Sequence, residues 1–161
     1  MANQSANATL ALGASPIMAS ALEEMYDLSC VLGALLVNFG TVTDKESMLA
    51  AGRFANDAKK PVVFDPVGVG ATQFRRKIAS ELLNAWQASV VKGNAGELAA
   101  LADSGEVQAK GVDSIGVGFA NPATFVRDLA RKERKLVVNF MLFTYAYFRI
   151  IRMCCRSHWA H

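Results

Sequence analysis

Two segments of this chain leave short apolar runs and pass through small, turn-forming residues into helical patterns. They are Phe64-Asp65-Pro66-Val67-Gly68-Val69-Gly70-Ala71-Thr72 and Val91-Lys92-Gly93-Asn94-Ala95-Gly96-Glu97. A strand that turns tightly into a helix is the building unit of a parallel α/β sheet, because parallel strands need a crossover and cannot be joined by a hairpin. The pattern puts Asp65, Lys92 and Glu97 at the carboxyl edge of such a sheet, where α/β proteins bind ligands. Gly68-Val69-Gly70 alone specifies no more than a turn. Two carboxylates and a cation at matching strand ends add the chemistry of a phosphate-handling site.

The rest of the chain keeps the same rhythm. Ser15-Pro16 predicts a helix running to about Leu28, with Ser15 as N-cap and Pro16 in the first helical position. Val31 to Phe39 is a continuous apolar run ending at Asn38-Phe39-Gly40-Thr41, the pattern of a buried central strand, and Cys30 sits in the same apolar, strand-like stretch. A helix follows over Asp44 to Ala58, with Met48, Ala51, Ala55 and Ala58 on its inner face. Pro61 to Phe64 is the next strand. The helix from Phe74 to Trp86 turns Ile78, Leu82 and Trp86 inward and Arg75, Arg76 and Lys77 outward. Ala88 to Val91 reads as a strand, Ala95 to Ala102 as a short helix, Asn121-Pro122 to Arg134 as a further helix and Leu136 to Phe140 as a last strand. These units predict a parallel sheet covered by helices, with right-handed crossovers.

Composition narrows the function classes. A hydrophobic content of 52% in 161 residues is enough for one domain with a sizeable core. The net charge of +3 is placed unevenly: residues 135–161 hold four of the 17 Lys and Arg and none of the 14 acids, leaving 13 bases against 14 acids elsewhere. No basic stripe with interleaved aromatics marks a nucleic-acid interface. Cys30, Cys154 and Cys155 form no spaced disulfide framework, which fits a reducing, cytoplasmic setting. Met1-Ala2-Asn3-Gln4-Ser5 lacks the basic and apolar regions of a signal peptide.

Five motifs in order carry a family resemblance: Ala6-Asn7 with Leu10-Ala11-Leu12-Gly13-Ala14-Ser15-Pro16-Ile17-Met18; Asn38-Phe39-Gly40-Thr41; Asp65 to Thr72; Lys92-Gly93-Asn94-Ala95-Gly96-Glu97; and Gly111-Val112-Asp113-Ser114. Over roughly residues 3–138 the chain resembles hydroxyethylthiazole kinases, above all the kinase half of the fungal bifunctional thiamine-phosphate synthase/hydroxyethylthiazole kinase proteins. The resemblance implies a ribokinase-like fold and a homotrimer with sites between subunits. It also implies magnesium-dependent transfer of the ATP γ-phosphate to the hydroxyl of 4-methyl-5-(2-hydroxyethyl)thiazole, a thiamine salvage step. By the same resemblance Met18 contacts the thiazole, Asp65 and Glu97 hold Mg2+, and Lys92 contacts ATP, in a position where relatives often carry arginine. Another ribokinase-like kinase, acting on a hydroxymethylpyrimidine, is the wider alternative; the Gly13 to Met18 segment argues against it.

Each of these residues also has a structural reading. Met18 on a helix is core packing. Asp65 before Pro66 caps a turn. Glu97, three residues after Asn94, completes a capping box in which its carboxylate accepts from an amide of its own helix; that role and metal binding can coexist. Lys92 is a solvated strand-end charge. Gly68 and Gly70 permit an unusual backbone path, Thr72 is the N-cap of the next helix, and Asp113 is a turn residue.

The pattern changes near Asn139. Where the family continues into a Thr-Gly turn and later a Gly-rich loop ending in a catalytic cysteine, this chain runs through residues 140–161, apolar and basic, without such a loop. The expected organisation is therefore 1–138 as the N-terminal portion of a kinase domain and 139–161 as an aberrant tail, with no catalytic residue assigned. The competing functional reading is an inactive, truncated fragment that at most binds ligand or associates with intact subunits. Phe140 to Ile151 is about 12 residues, short of the ~20 that span a bilayer. Cys154, Cys155, His158 and His161 match no common zinc spacing.

Overall fold

The strand-like runs assemble into one parallel sheet in the computed structural model, which describes residues 2–42, 44–104, 108–110, 113–115, 119–133 and 136–139. Strands β1 (Leu35–Asn38), β2 (Val62–Asp65), β3 (Val90–Gly93) and β6 (Leu136–Asn139) lie in the order β1-β2-β3-β6, every neighbouring pair parallel. Helices α3 (Lys45–Asp57) and α4 (Gln73–Ala85) make the first two crossovers. Between β3 and β6 the chain passes through α5 (Ala95–Leu101), an antiparallel pair β4 (Gln108–Lys110) and β5 (Asp113–Ile115), and α6 (Pro122–Glu133). Two helices precede the sheet, α1 (Ala2–Ala11) and α2 (Met25–Val31). The result is the helix-flanked, parallel α/β architecture that the sequence predicts.

Register aligns the polar strand ends. Asn38 pairs with Asp65 across β1 and β2, and Phe64 with Val91 across β2 and β3, so Asp65 and Lys92 leave the sheet side by side. The central strand β2 carries apolar residues on both faces, as a helix-covered parallel strand must: Val62 and Phe64 on one face are fully buried, and Val63 on the other is half-buried. Phe64 is the hub of the core. Its ring meets Phe39 edge-on at 5.9 Å and Trp86 edge-on at 5.7 Å, pairs that add about 0.5–1.5 kcal/mol each beyond their buried area. Leu82 and Leu98 fill the space around it with no exposure.

Several elements depart from expectation. The helix starting at Ser15 does not form: residues 14–21 are non-helical, and helix begins only with a 3₁₀ turn at Leu22–Glu24 that leads into α2. The Ser-Pro signal is overridden because the segment has no sheet face to pack against; Ile17 and Met18 are exposed. The strand expected from Val31 is α2 up to Val31 and becomes extended only at Leu35, so Cys30 is an exposed helical residue. An apolar run without clear periodicity does not separate these two states. On α3 Ala55 is buried and Met48 packs against the core as expected, Ser47 and Gly52 are buried as well, Ala51 is half-buried and Ala58 is exposed. Asp113 opens strand β5 instead of a turn. The helix α1 and the β4/β5 pair were unexpected. The segment 140–161 lies outside the described residues.

Arg75 is the instructive exception on α4. Expected to point outward, its guanidinium turns past the N-terminus of the helix and donates to the carbonyls of Phe39, Gly40 and Val67. Thr72 does cap that helix as predicted, accepting from the Arg75 amide at 3.1 Å.

Close packing dictates one glycine. A Cβ on Gly52 of α3 would overlap the Trp86 indole, which lies flat against the helix backbone. The indole Nε1 has no hydrogen-bond partner among the described residues, so packing alone holds the ring. Gly52→Ala is therefore expected to destabilise the chain by about 1–3 kcal/mol through overpacking, despite alanine's better helix propensity. Urea unfolding monitored by Trp fluorescence checks this, and an unchanged or raised midpoint would contradict it.

Candidate active site at the carboxyl edge

The site starts from the last residues of three adjacent strands. Asp65, at the end of β2 and 9% exposed, accepts from Lys92 Nζ with both carboxylate oxygens, at 3.2 and 3.1 Å. On its other side Asn38 Nδ2 donates to Asp65 Oδ2 at 3.3 Å. The Asn38 carboxamide is held in turn, since its Oδ1 accepts from the Gly40 amide at 2.9 Å. The ladder continues past the strand ends, with the Phe39 amide donating to the Asp65 carbonyl at 2.9 Å. A carboxamide, a carboxylate and an ammonium thus form a row across β1, β2 and β3. The Lys92 side chain remains 39% exposed, so the row faces solvent on the ammonium side.

Glu97 organises the second layer. Asn94, N-cap of α5, accepts from the Glu97 amide at 2.9 Å, and Glu97 Oε2 accepts from the Asn94 amide at 2.8 Å, the capping box anticipated from the spacing. Its other oxygen, Oε1, accepts from the Gly68 amide at 3.0 Å, in the turn that follows β2. Gly68 is in the left-handed region at φ +68°, which glycine adopts without steric cost. Gly70 needs no such conformation; it belongs to the 3₁₀ turn Val69–Ala71. Gly93 makes room for the bridge: a Cβ there would stand 3.2 Å from Glu97 Cβ and Oε2.

Burial dominates the electrostatics of Glu97. Desolvation pushes its carboxyl above the ordinary glutamate value, the amides of Asn94 and Gly68 oppose this, the Asp65 charge adds to it and Lys92 opposes it. Both carboxylates keep unused acceptor capacity, because each offers about four lone-pair sites. Glu97 uses two of these and Asp65 three in the contacts given above. Hard carboxylate oxygens, few in number and able to share the ion with water and phosphate, are what magnesium accepts. Among the described residues no three His, Cys, Asp or Glu side chains cluster, so a cation here would depend on this pair and on its ligand's oxygens.

The structure therefore brings together three of the four residues singled out in the sequence. The fourth, Met18, is 56% exposed in the non-helical segment 14–21, outside the elements that carry the carboxylates. Asn38 was quoted only as part of a motif. An Asn at a strand end with glycine two residues on is the signal for an Asx turn, which could have shown that its carboxamide oxygen is held but not that its nitrogen faces Asp65. The open groove of about 380 Å³ between α5 and α6, lined by Ala102, Phe125 and Leu129 among others, contains none of these side chains. No helix among the described residues is long and apolar enough to cross a membrane.

Residues 1–140 match the model of the hydroxyethylthiazole kinase family. The chain is 51% identical over 141 residues to a hydroxyethylthiazole kinase of Listeria monocytogenes, covering 86% of this chain and 51% of that protein. It is 48% identical over 132 residues to that of Methanocella arvoryzae, covering 81% and 49%. The solved structure of a hydroxyethylthiazole kinase protein from Pyrococcus horikoshii superposes with a TM-score of 0.70 at 34% identity, again over 86% of this chain and 51% of the other. The chain spans about half the length of these relatives.

The raised Glu97 pKa has a stability signature with a definite sign. Between the ordinary value of 4.5 and the raised one, the folded chain holds a proton that the unfolded chain releases. The contribution of this group to stability therefore falls as pH rises through that window and is constant above it. Measured by urea unfolding from about pH 4 to 8, the stability of the wild type relative to Glu97→Gln should decline with pH. A difference that stays flat or rises would show that burial does not control this carboxyl.

Proposed function

The chain belongs to the hydroxyethylthiazole kinase family, and from that membership we propose that its carboxyl edge is the magnesium–nucleotide part of a thiazole kinase site. The reaction is transfer of the ATP γ-phosphoryl group to the hydroxyl oxygen of 4-methyl-5-(2-hydroxyethyl)thiazole, in thiamine biosynthesis or salvage. ADP leaves and the hydroxyl proton is lost. The observation that carries this reading is the row Asn38, Asp65 and Lys92 across three strand ends, set against a glycine turn pinned by Glu97.

In this proposal Asp65 and Glu97 hold Mg2+, directly or through water. The ion, when bound, would neutralise charge on the phosphate oxygens. Lys92 supports the same charge from the ATP side as a point cation, in place of the bidentate fork an arginine would give. Asn38 keeps the Asp65 carboxylate aimed by donating to one oxygen while its own carbonyl is fixed by Gly40. Phosphoryl transfer asks mainly for positioning and charge stabilisation, and these residues supply both. No catalytic residue is assigned among them.

Met18 contacts the thiazole in this reading, across a boundary with a second copy of the chain. Support comes from exposed apolar side chains along the stretch from the end of α1 into β1: Leu12, Ile17, Met18, Tyr26, Val31 and Leu36. So much exposed apolar surface on one stretch marks an association face, and a homotrimer is the assembly proposed. A reducing cytoplasm suits Cys30, an exposed thiol with no disulfide partner among the described residues.

Calorimetric titration with ATP, with and without magnesium chloride, tests the site. Binding should require magnesium, and Asp65→Asn should weaken it about tenfold or more, since one charged hydrogen-bonding group is worth ~1.5–3 kcal/mol. Equal ATP affinity with and without magnesium, and in Asp65→Asn, would remove the proposal. A coupled ADP-release assay with the thiazole alcohol then separates a working kinase from the competing fragment reading, in which magnesium ATP binds and nothing turns over.

A further inference from the structure

A cation in the first turn of a helix opposes the partial positive charge of the helix N-terminus, so a buried contact there needs a compensating partner. Arg75 occupies that turn of α4, half-buried, and makes no salt bridge among the described residues. Its compensation is three backbone carbonyls. Nη1 donates to Phe39 O at 2.8 Å and to Val67 O at 3.0 Å, and Nη2 donates to Gly40 O at 2.9 Å. The guanidinium also lies 5.6 Å from the centre of the Phe39 ring, a distance at which a ring attracts a cation.

The carbonyls come from two different turns. Phe39 and Gly40 follow Asn38 at the end of β1, and the Gly40 amide is the one that fixes the Asn38 carboxamide. Val67 lies between Asp65 and Gly68, whose amide is held by Glu97. One rigid fork therefore joins the turn that carries Asn38 to the turn that links Asp65 with Glu97. We infer that Arg75 is the positioning residue of the site: it locks the β1 turn to the β2 turn and so sets the spacing between the Asn38 carboxamide, the Asp65 carboxylate and the Gly68 turn. The functional half of this inference rests on the site reading proposed above. A planar group with five donors can serve three carbonyls in two directions, whereas a lysine ammonium at the end of a flexible stem cannot reproduce that fork.

Amide hydrogen exchange by NMR on the full chain, paired with magnesium ATP titration, tests it in Arg75→Gln and Arg75→Lys. The amides of Gly40, Val67 and Gly68 should exchange about tenfold faster or more in Arg75→Gln, as loss of hydrogen bonds to a charged group predicts, and less so in Arg75→Lys. Phe64 and Val91, in the sheet, should keep their wild-type rates. The dissociation constant for magnesium ATP should rise in parallel, about tenfold in the Gln variant, with partial recovery in the Lys variant. Equal acceleration at Phe64 and Val91 would mean that Arg75 only stabilises the fold, and the inference would fall. It would also fall if the turn amides were unchanged, or if they loosened while nucleotide affinity held. Should Arg75→Gln not fold, the Lys variant decides by the same comparison. A wild-type chain that binds no magnesium ATP would refute the site reading instead, and the exchange comparison would still decide whether Arg75 locks the turns.

Discussion

The Glu97 carboxylate is the contact on which the carboxyl edge depends. A carboxylate that is 4% exposed survives only if its oxygens are satisfied, and here each oxygen takes one backbone amide, one from its own helix start and one from the turn after the neighbouring strand. That demand propagates outward. The amide of Gly68 can face Glu97 because residue 68 is left-handed, the carboxylate can approach β3 because residue 93 lacks a side chain, and α5 begins where it does because Asn94 caps it. A single buried charge thus fixes the ends of two strands and the start of a helix. Asp65 beside it is held from both sides by Lys92 and Asn38. The chemistry of the edge and the geometry of the fold are the same set of hydrogen bonds.

Behind this edge the core supplies rigidity. Phe64 lies directly before Asp65, and its ring is gripped by Phe39 and Trp86. Phe39 in turn follows Asn38. The residues flanking the two polar side chains are therefore the most deeply buried aromatics among the described residues, so the positions of Asn38 and Asp65 inherit the precision of core packing rather than the looseness of surface turns. The N-terminal third is organised differently. α2 packs on α3 through Tyr26 and Phe54, while the segment before it keeps large apolar side chains on the surface.

Much of the fold was legible because its signals are local. The end of β2, the capped starts of α3, α4 and α5, and the capping box of Glu97 all came within a residue or two of the sequence reading, since turn chemistry and caps depend on neighbours in the chain. The misreadings share a different cause. Ser15-Pro16 is a good helix start, yet helicity depends on a surface to bury against, which the cap cannot report. Val31 to Phe39 is apolar throughout, so period could not say that α2 reaches Val31 and that extension begins at Leu35. Arg75 sits on the outward side of a helical wheel, but a wheel ignores what lies beyond the helix end, and three carbonyls lie there. At the carboxyl edge, the placement of Asp65, Lys92 and Glu97 was legible from charge type and strand ends. Asn38 was not, because its role arises only when the register sets it against Asp65.

The strand order also has a consequence for how the chain assembles. β1, β2 and β3 are consecutive in sequence and in space, and the contacts between Asn38 and Asp65 and between Asp65 and Lys92 each close a loop of the same length, 27 residues. β6 reaches β3 only after α5, β4, β5 and α6. The extra loop entropy is small, under about 1 kcal/mol for less than a doubling of length. The three strands that carry Asn38, Asp65 and Lys92 are nonetheless joined by contacts of equal and shorter sequence separation than those that bring in the fourth, so the polar edge is built from the more local pairings of the sheet.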